Sequence, residues 1–550
     1  MTGEDQTPDG GSLLARWKEV EPESPTRGPA ASRAALRQIA HRARRRRRLR
    51  RTLLGVGIAI VVLVGAVAGY AEYLNQEIKR LSVHDLSQVA GNGTQNILLV
   101  GSTSRCALAH QNPAFGLCSQ GVTGVNSDVV MVLHLNPKTK QVAILSIPRD
   151  LFVPNARTTG HNKIDAALYQ GPTQLVDAVE QDLGIPIQHY VELNFDTFQG
   201  VVNALGGIKM YFPMPLFDQE SSLNIPTAGC QELNGFQALA VVRARHLQYK
   251  PPNVTTNNHA YWPQDPESDL SRIRRDHEFI RVLATEVSKR GLGNPLTDRS
   301  LVSAVAPDLQ VDNGLGITDM IGLVLSFHGV DAGKAPENTL PVLVHSGLSY
   351  YYAGYNFGSV ELASQPQDTQ AVDQLLGLPA GRNTMTGAPL PSPSSVQVSV
   401  VNGSGVYSKG TQTVAALTAL GFQATAAGTL PSAGTPSETQ VVYPAHNPAA
   451  LAAAEAVLQD LSGAAILAVG TPAAGAQVSV ITGSAFTVSP PLPAAPAPGA
   501  TSSTTEGRSA GTTTTTITPT SSSLSAPTAA AQALSPFDPR SCTPSGGEGS

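Results

Sequence analysis

An uncharged run of 19 residues, TLLGVGIAIVVLVGAVAGY from Thr52 to Tyr70, limits what this chain can become more than any other feature. At about 1.5 Å per helical residue it crosses most of a ~30 Å hydrocarbon core. Eight arginines precede it (Arg42, Arg44 to Arg48, Arg50 and Arg51), and Glu72 and Glu77 follow. Positive charge is retained on the cytoplasmic side. Residues 1–51 are therefore expected inside the cell, 52–70 as a single membrane span, and everything beyond in the extracytoplasmic space. A cleaved signal peptide would want a shorter apolar core and a clearer small-residue site than Ala66 and Ala68 offer.

Charge supports this division. Of 37 Lys+Arg and 41 Asp+Glu in 550 residues, 13 basic and 6 acidic side chains lie within residues 1–51, leaving an excess of 11 acidic groups in the rest. An acidic body does not suit a nucleic-acid partner, so none is expected. The four cysteines, Cys106, Cys118, Cys230 and Cys542, all fall on the exported side, where disulfides form. Their spacing fits no zinc motif. Cys106 with Cys118 closes a short loop, and Cys118 with Cys230 is the competing pair. Cys542 falls in a tail whose composition argues against folding.

Fifty-one glycines and 41 prolines mark the boundaries. A stalk is expected at 71–91, a globular unit at 92–377, a linker at 378–395, a small α/β unit at 396–487 and a disordered Pro/Ser/Thr-rich tail at 488–550. In the first unit NILLV at 96–100 reads as a buried strand. The runs 129–135 and 141–147, joined by Asn136-Pro137-Lys138-Thr139-Lys140, read as a hairpin. Helical periods follow at 173–183, at 196–205 with Asp196 as cap, and from Asp269 onward. Strands are expected at 190–193 and 208–212. The fold class is α/β, with a mixed central sheet flanked by helices.

Charged groups gather at one rim of that sheet. With Leu135 opposite Gln141, Asp128 faces Pro148 and lies beside Arg149 and Asp150. Arg243 and Arg245 alternate in VVRARH, so a strand would point them to one face. Asp269, Arg272 and Asp276 share a sector of a helix, away from Ile273. With Lys163 these make a cationic pocket. Arginine grips phosphate through two parallel hydrogen bonds, and paired carboxylates with phosphate oxygens suit Mg²⁺.

Six blocks now stand in order: NILLVGSTSR (96–105), NSDVVMVLHLNPKTKQVAILSIPRDLFVP (126–154), KIDAA (163–167), GIPIQHYVELNFDTFQGVVNALGGI (184–208), AGCQELNGFQALAVVRARH (228–246) and DLSRIRRD (269–276). They resemble the LytR-CpsA-Psr family of cell-envelope proteins. VSVVNGSGVYSKGTQTVAALTALGF at 398–422 resembles the LytR C-terminal domain that often accompanies it. The resemblance implies a membrane-anchored phosphotransferase. Such a protein moves a glycopolymer with its phosphate from a polyprenyl-pyrophosphate carrier to the C6 hydroxyl of N-acetylmuramic acid in peptidoglycan. By motif, Arg149, Lys163, Arg243, Arg245, Arg272 and Asp276 hold pyrophosphate, Asp128 and Asp150 hold Mg²⁺ or Mn²⁺, and Asp269 is the base toward the acceptor. Apolar faces of the helices at 173–183 and 196–205 are candidate walls for the lipid. The family's usual Asp is Thr103 here, its usual Arg is Asn126, and its usual Gln is Asp276. These departures would weaken metal and pyrophosphate binding. They also keep open a non-catalytic envelope protein of the same fold that binds lipid-linked phosphate or glycan. The 23 residues between Arg245 and Asp269, with Tyr261 and Trp262, are expected to form a loop over the site.

Overall fold

A computed structural model describes residues 69, 72–73, 75–108, 110–267, 269–289, 309–327, 336–345, 349–430, 436–473, 475–488 and 534–542. Apart from Gly69, the expected cytoplasmic segment and membrane span lie outside them. Among the described residues no helix is long and apolar enough to cross a membrane. The described residues from Tyr70 onward belong to one unit.

The first half is built on a seven-stranded mixed sheet. In chain order its first half contains β1 (Lys79–Leu81), β2 (Gln95–Ser102), β3 (Ser127–Asn136), β4 (Gln141–Ser146), the flanking hairpin β5 (Phe152–Arg157) and β6 (Gly160–Lys163), helix α1 (Pro172–Leu183) and β7 (His189–Leu193). Strands Gln310–Asp312 and Glu337–Thr339 complete the sheet, in the order β1, 310–312, β7, β2, β3, β4, 337–339. β2 runs antiparallel to β3 and parallel to β7. The mixed sheet is thus as the sequence implies. The stalk is not: residues 79–81 are an edge strand. Leu98, Val132 and Leu145 of the strands and Leu175, Val176 and Val179 of α1 fill the core between them.

Helices α2 (Phe195–Ala204) and α3 (Gly235–Arg243) flank β8 (Ile208–Phe212), and α4 (Asp269–Lys289) packs beside them. Asn194, not Asp196, caps α2, accepting from the Thr197 amide. Gly235 is required by close packing: a Cβ there would lie 2.5 Å from the Gln199 carbonyl oxygen of α2. A second core forms here, with Val202, Phe212, Val241 and Phe279.

The small second unit has a five-stranded sheet in which Gln397–Asn402, beside the central strand Val478–Thr482, leads through a glycine turn to the helix Lys409–Ala419. It is not held off by a spacer. Ile466 enters the core of the first unit. The Tyr443 hydroxyl donates to the Gln181 carbonyl at 2.8 Å. Asn383, in the expected linker, is buried and donates to Glu455 at 2.6 Å.

The expected disordered tail also contains structure. Residues 540–541 add a strand to β8, and Cys542 is disulfide-bonded to Cys230. Cys106 pairs with Cys118, as loop closure favours, and the Cys118–Cys230 alternative is excluded. Composition misses this element because nine residues can fold on a surface supplied by a distant part of the chain.

Candidate functional site

The rim begins with a register detail. Asn136, not Leu135, starts the hairpin pairing opposite Gln141, and Met131 faces Ser146. Carried forward, that register sets Arg149, rather than Pro148, opposite Asp128. On its other side β3 shifts register against β2: Val129 faces Gly101 and Ser127 faces Ser102. Asp128 is therefore the extra residue of a β-bulge, a device that re-aims a side chain at a sheet rim. Its carboxylate accepts from Arg149, and its carbonyl accepts from Arg272 Nη2 at 2.7 Å.

Asp150 accepts from Lys163 at 2.8 Å and lies 3.6 Å from Arg149 Nε and 3.8 Å from Arg245 Nη2. Arg272 lies 3.7 Å from Asp276, one helical turn further along α4. The two arginines of VVRARH reach the same place by another route. Asn234 and Gln237 form a capping box, so FQALAVVR is helical, and Arg243 is the last residue of α3. The chain then turns extended at Ala244, which delivers Arg245. Nor is the middle of α4 an exposed polar sector, because every residue from Ser271 to Phe279 is buried. Asp269 opens α4, and its side chain lies outside the described residues.

Two groups at this rim escaped the sequence reading. Arg105, inside GSTSR, sits 5.1 Å over the Phe195 ring and donates to the Phe115 carbonyl at 3.1 Å. Arg243 lies over Phe115 and Phe195, at 4.6 and 4.8 Å. Phe115 is presented by the loop that Cys106–Cys118 closes. Asp165, inside KIDAA, stands 4.0 Å from Arg149. The sequence signal was present: both are charged residues in the quoted blocks, Asp165 two positions from Lys163 and Arg105 two from Thr103, in a chain where charge is only 14% of the whole.

Burial is the strongest influence on Asp128 and pushes its carboxyl up, but Arg272, Arg149 and Arg245 outweigh it and hold it below the ordinary range. Arg149, Lys163 and Arg245 likewise outweigh burial at Asp150. Asp165 goes the other way: burial, aided by Asp150 and Asp128, raises it to about 6. Burial, followed by the neighbouring Arg105, lowers Arg243.

Six cations (Arg105, Arg149, Lys163, Arg243, Arg245 and Arg272) thus share the rim with four carboxylates, Asp128, Asp150, Asp165 and Asp276. Arg243 Nη1 is enclosed and meets no hydrogen-bond partner among the described residues. Enclosed donors are costly unless something accepts from them. The excess of cations and this donor suit an anion with several oxygens. The described donor set does not suit a divalent ion as it stands. Asp128 and Asp150 are each already engaged by guanidinium or ammonium groups, and among the described residues no three His, Cys, Asp or Glu side chains gather as a metal site.

The departures from the family pattern also acquire positions. Thr103 and Asn126 are neighbours: the Thr103 amide donates to the Asn126 carbonyl at 2.9 Å, and the Asn126 amide donates to Thr103 Oγ1 at 3.0 Å. One carboxylate and one cation are thus replaced side by side, which leaves the local charge balanced. Asp276 is matched by Arg272. Most of the helix residues expected to wall a lipid groove are buried instead: Val176 and Val179 have no exposed surface, and Val202 and Leu205 are 1% exposed, while Val201 is half-buried. The loop after Arg245 folds back on to the strand Leu216–Asp218, where Phe217 stacks on His259 at 3.7 Å.

The fold and the charged rim fall within one protein family. Residues 62–360 match the LytR-CpsA-Psr family model, and the chain belongs to that family. Residues 395–486 match the model described as LytR cell envelope-related transcriptional attenuator. A Corynebacterium glutamicum relative, named as a probable cell wall biosynthesis protein, LcpB, is 32% identical over 314 residues, 56% of this chain and 67% of the relative. Bacillus subtilis TagV, named as a polyisoprenyl-teichoic acid–peptidoglycan teichoic acid transferase, is 32% identical over 231 residues, 39% of this chain and 54% of TagV. The crystal structure of B. subtilis TagV superposes with a TM-score of 0.39 at 24% identity, covering 52% of this chain and 98% of that one.

Proposed function

We propose that this chain transfers a glycopolymer with its phosphate from a polyprenyl-pyrophosphate carrier to the C6 hydroxyl of N-acetylmuramic acid in peptidoglycan. The observation that carries the reading is the cation-rich rim with an enclosed guanidinium nitrogen at Arg243 that has no hydrogen-bond partner among the described residues. Relatives named as teichoic acid–peptidoglycan transferases support it. Arg149, Arg243, Arg245 and Arg272, with Lys163, hold the pyrophosphate. The acceptor oxygen attacks the sugar-linked phosphorus, the bond to the lipid phosphate breaks, and polyprenyl monophosphate leaves. The hydroxyl proton passes to a carboxylate, for which Asp269 is the candidate by motif. The guanidiniums act mainly by positioning and by stabilising charge that develops on phosphate oxygens. No step is assigned to Mg²⁺. The membrane span at 52–70 would hold the domain beside the lipid end of its substrate.

The test is release of polyprenyl monophosphate by the full chain, from a lipid-diphosphate-linked sugar in the presence of peptidoglycan fragments, with and without Mg²⁺ or Mn²⁺. A protein that binds the lipid but releases nothing under either condition would instead be the non-catalytic binder. Topology is tested with reporter fusions: one after residue 80 reads as exported and one before residue 40 as cytoplasmic.

A further inference from the structure

Beyond the rim itself, the largest fully buried side chain among the described residues is a cation, Arg275. Its Nη1 reaches two carboxylates, Asp265 Oδ2 at 3.1 Å and Asp538 Oδ1 at 3.2 Å. Its Nη2 donates to the Ala244 carbonyl at 2.6 Å. Ala244 is the residue between Arg243 and Arg245. One guanidinium therefore ties three parts of the chain together: the loop after Arg245, the exit of α3, and the segment 534–542.

That segment is well anchored. Asp538 has no exposed surface and also lies 3.4 Å from Arg274 Nε. Its Oδ2 accepts from the Ser535 amide at 2.8 Å. Phe537 stacks on Tyr249, with ring centroids 4.3 Å apart. The Ser541 amide donates to Glu278 at 2.8 Å, and Cys542 is bonded to Cys230. Asp538 is thus a carboxylate shared by two consecutive arginines of α4, the helix that supplies Arg272.

We propose that segment 534–542 is a structural part of the pyrophosphate site, and that Asp538 is a positioning residue that fixes Arg243 and Arg245 through Arg275. A bare hydrophobic strap would stabilise the fold and leave the site indifferent. This one ends its chain of contacts on the backbone between two phosphate-gripping side chains. Without the Asp538 charge, Arg274 and Arg275 fall back on Asp265 and on Glu267, which is 44% exposed. Arg275 then shifts toward Asp265 and releases Ala244. The inference rests on the pyrophosphate clamp proposed above.

The test is farnesyl diphosphate affinity of the full chain in detergent, with melting curves for each variant. Asp538→Asn is expected to weaken binding at least tenfold while its melting temperature stays within a few degrees of the parent. Asp538→Glu should recover much of the loss. An Asp538→Asn protein that binds as well as the parent overturns the proposal. A parent that shows no specific diphosphate binding, or an Arg243→Ala protein that binds as well as the parent, overturns the clamp and this inference with it. If Asp538→Asn fails to fold, a protease site introduced within 489–533 serves instead. Cleavage alone should leave affinity intact, because the disulfide retains the strap. Cleavage followed by reduction should lose it, whereas reduced but uncleaved protein should keep it. Affinity that survives demonstrated release of the strap also overturns the proposal.

Discussion

Two clusters of buried charge in this molecule behave in opposite ways. At the rim, carboxylates stand among an excess of cations, and Asp128 and Asp150 are held below their ordinary range. At the seam between the two sheets, Asp182, Asp368, Asp373, Glu438 and Glu455 are at most 8% exposed. Burial is the largest influence on each and raises them all, Asp373 and Glu455 to about 7. Arg382 lines a cavity with Asp182, Asp368, Asp373 and Glu455, but the hydrogen-bond partners of these carboxyls are neutral: Asn155 for Asp182, the Ala363 amide for Glu438, Asn383 and Thr384 for Glu455. The difference teaches that a buried carboxylate is either neutralised by a guanidinium or by a proton. A region built the first way is ready for an anion. One built the second way is a joint, whose strength follows pH.

The largest expected effect tests whether the rim depends on its loop. Replacing Cys106 and Cys118 with serine should cost about 3 kcal/mol of stability, for a loop whose ends are 12 residues apart. Urea unfolding reads that loss, and the seam's pH response should be unchanged. Next comes the clamp. Each charged hydrogen bond contributes roughly 1.5–3 kcal/mol, so Arg243→Ala should weaken lipid-diphosphate binding about tenfold to a hundredfold at unchanged melting temperature. Lysine at 243 should recover only part, lacking the planar fork. Parent-like binding by Arg243→Ala would reduce the rim to ordinary salt bridging.

The seam is tested by pH. Raised carboxyls contribute stability that is fully present below their unfolded values near 4, and that is lost as pH climbs through about 7. The low carboxyls of the rim contribute above about 4 and lose that contribution as pH falls through their depressed values. The melting temperature should therefore be highest on the acid side and decline toward neutrality. Glu455→Gln should flatten that decline by on the order of 1 kcal/mol, and leave diphosphate affinity alone. An unchanged slope would mean that Glu455 ionises normally. The smallest effect concerns the rings. Phe115→Leu removes one face of the Arg243 sandwich and should weaken diphosphate binding about twofold to fivefold, from a cation–π contribution of roughly 0.5–1 kcal/mol. Calorimetric titration resolves a change of that size.

What could be read from sequence divides along physical lines. Alternation and period found the strands at 96–100, 129–135 and 208–212 and the helix at 173–183, because burial on one face leaves a repeat in the residues themselves. The composition of the rim was legible because charge is sparse elsewhere. Its geometry was not. The hairpin was misaligned by one residue, since turn length is set by the four-residue connection 137–140 and not by the apolar pattern alone. Arg243 was put on a strand because Val241 and Val242 favour one, while the Asn234–Gln237 cap that makes the segment helical lies a full helix away. Asp165 and Arg105 become site residues only when packing brings four blocks together. The seam left no local trace at all, for its carboxyls are spread over some 270 positions.

The Arg275–Asp538 contact joins residues 263 positions apart. A chain synthesised from its N-terminus makes α4 with two arginines bound for the interior and only one of their fully buried carboxylates, Asp265, yet present. The missing anion follows a whole second domain later. Until it arrives, Arg274 and Arg275 resist burial and the backbone at Ala244 has no fixed seat. The order of synthesis thereby sets an order of maturation: the scaffold closes first, and the site closes only once the distant segment has been made and has docked.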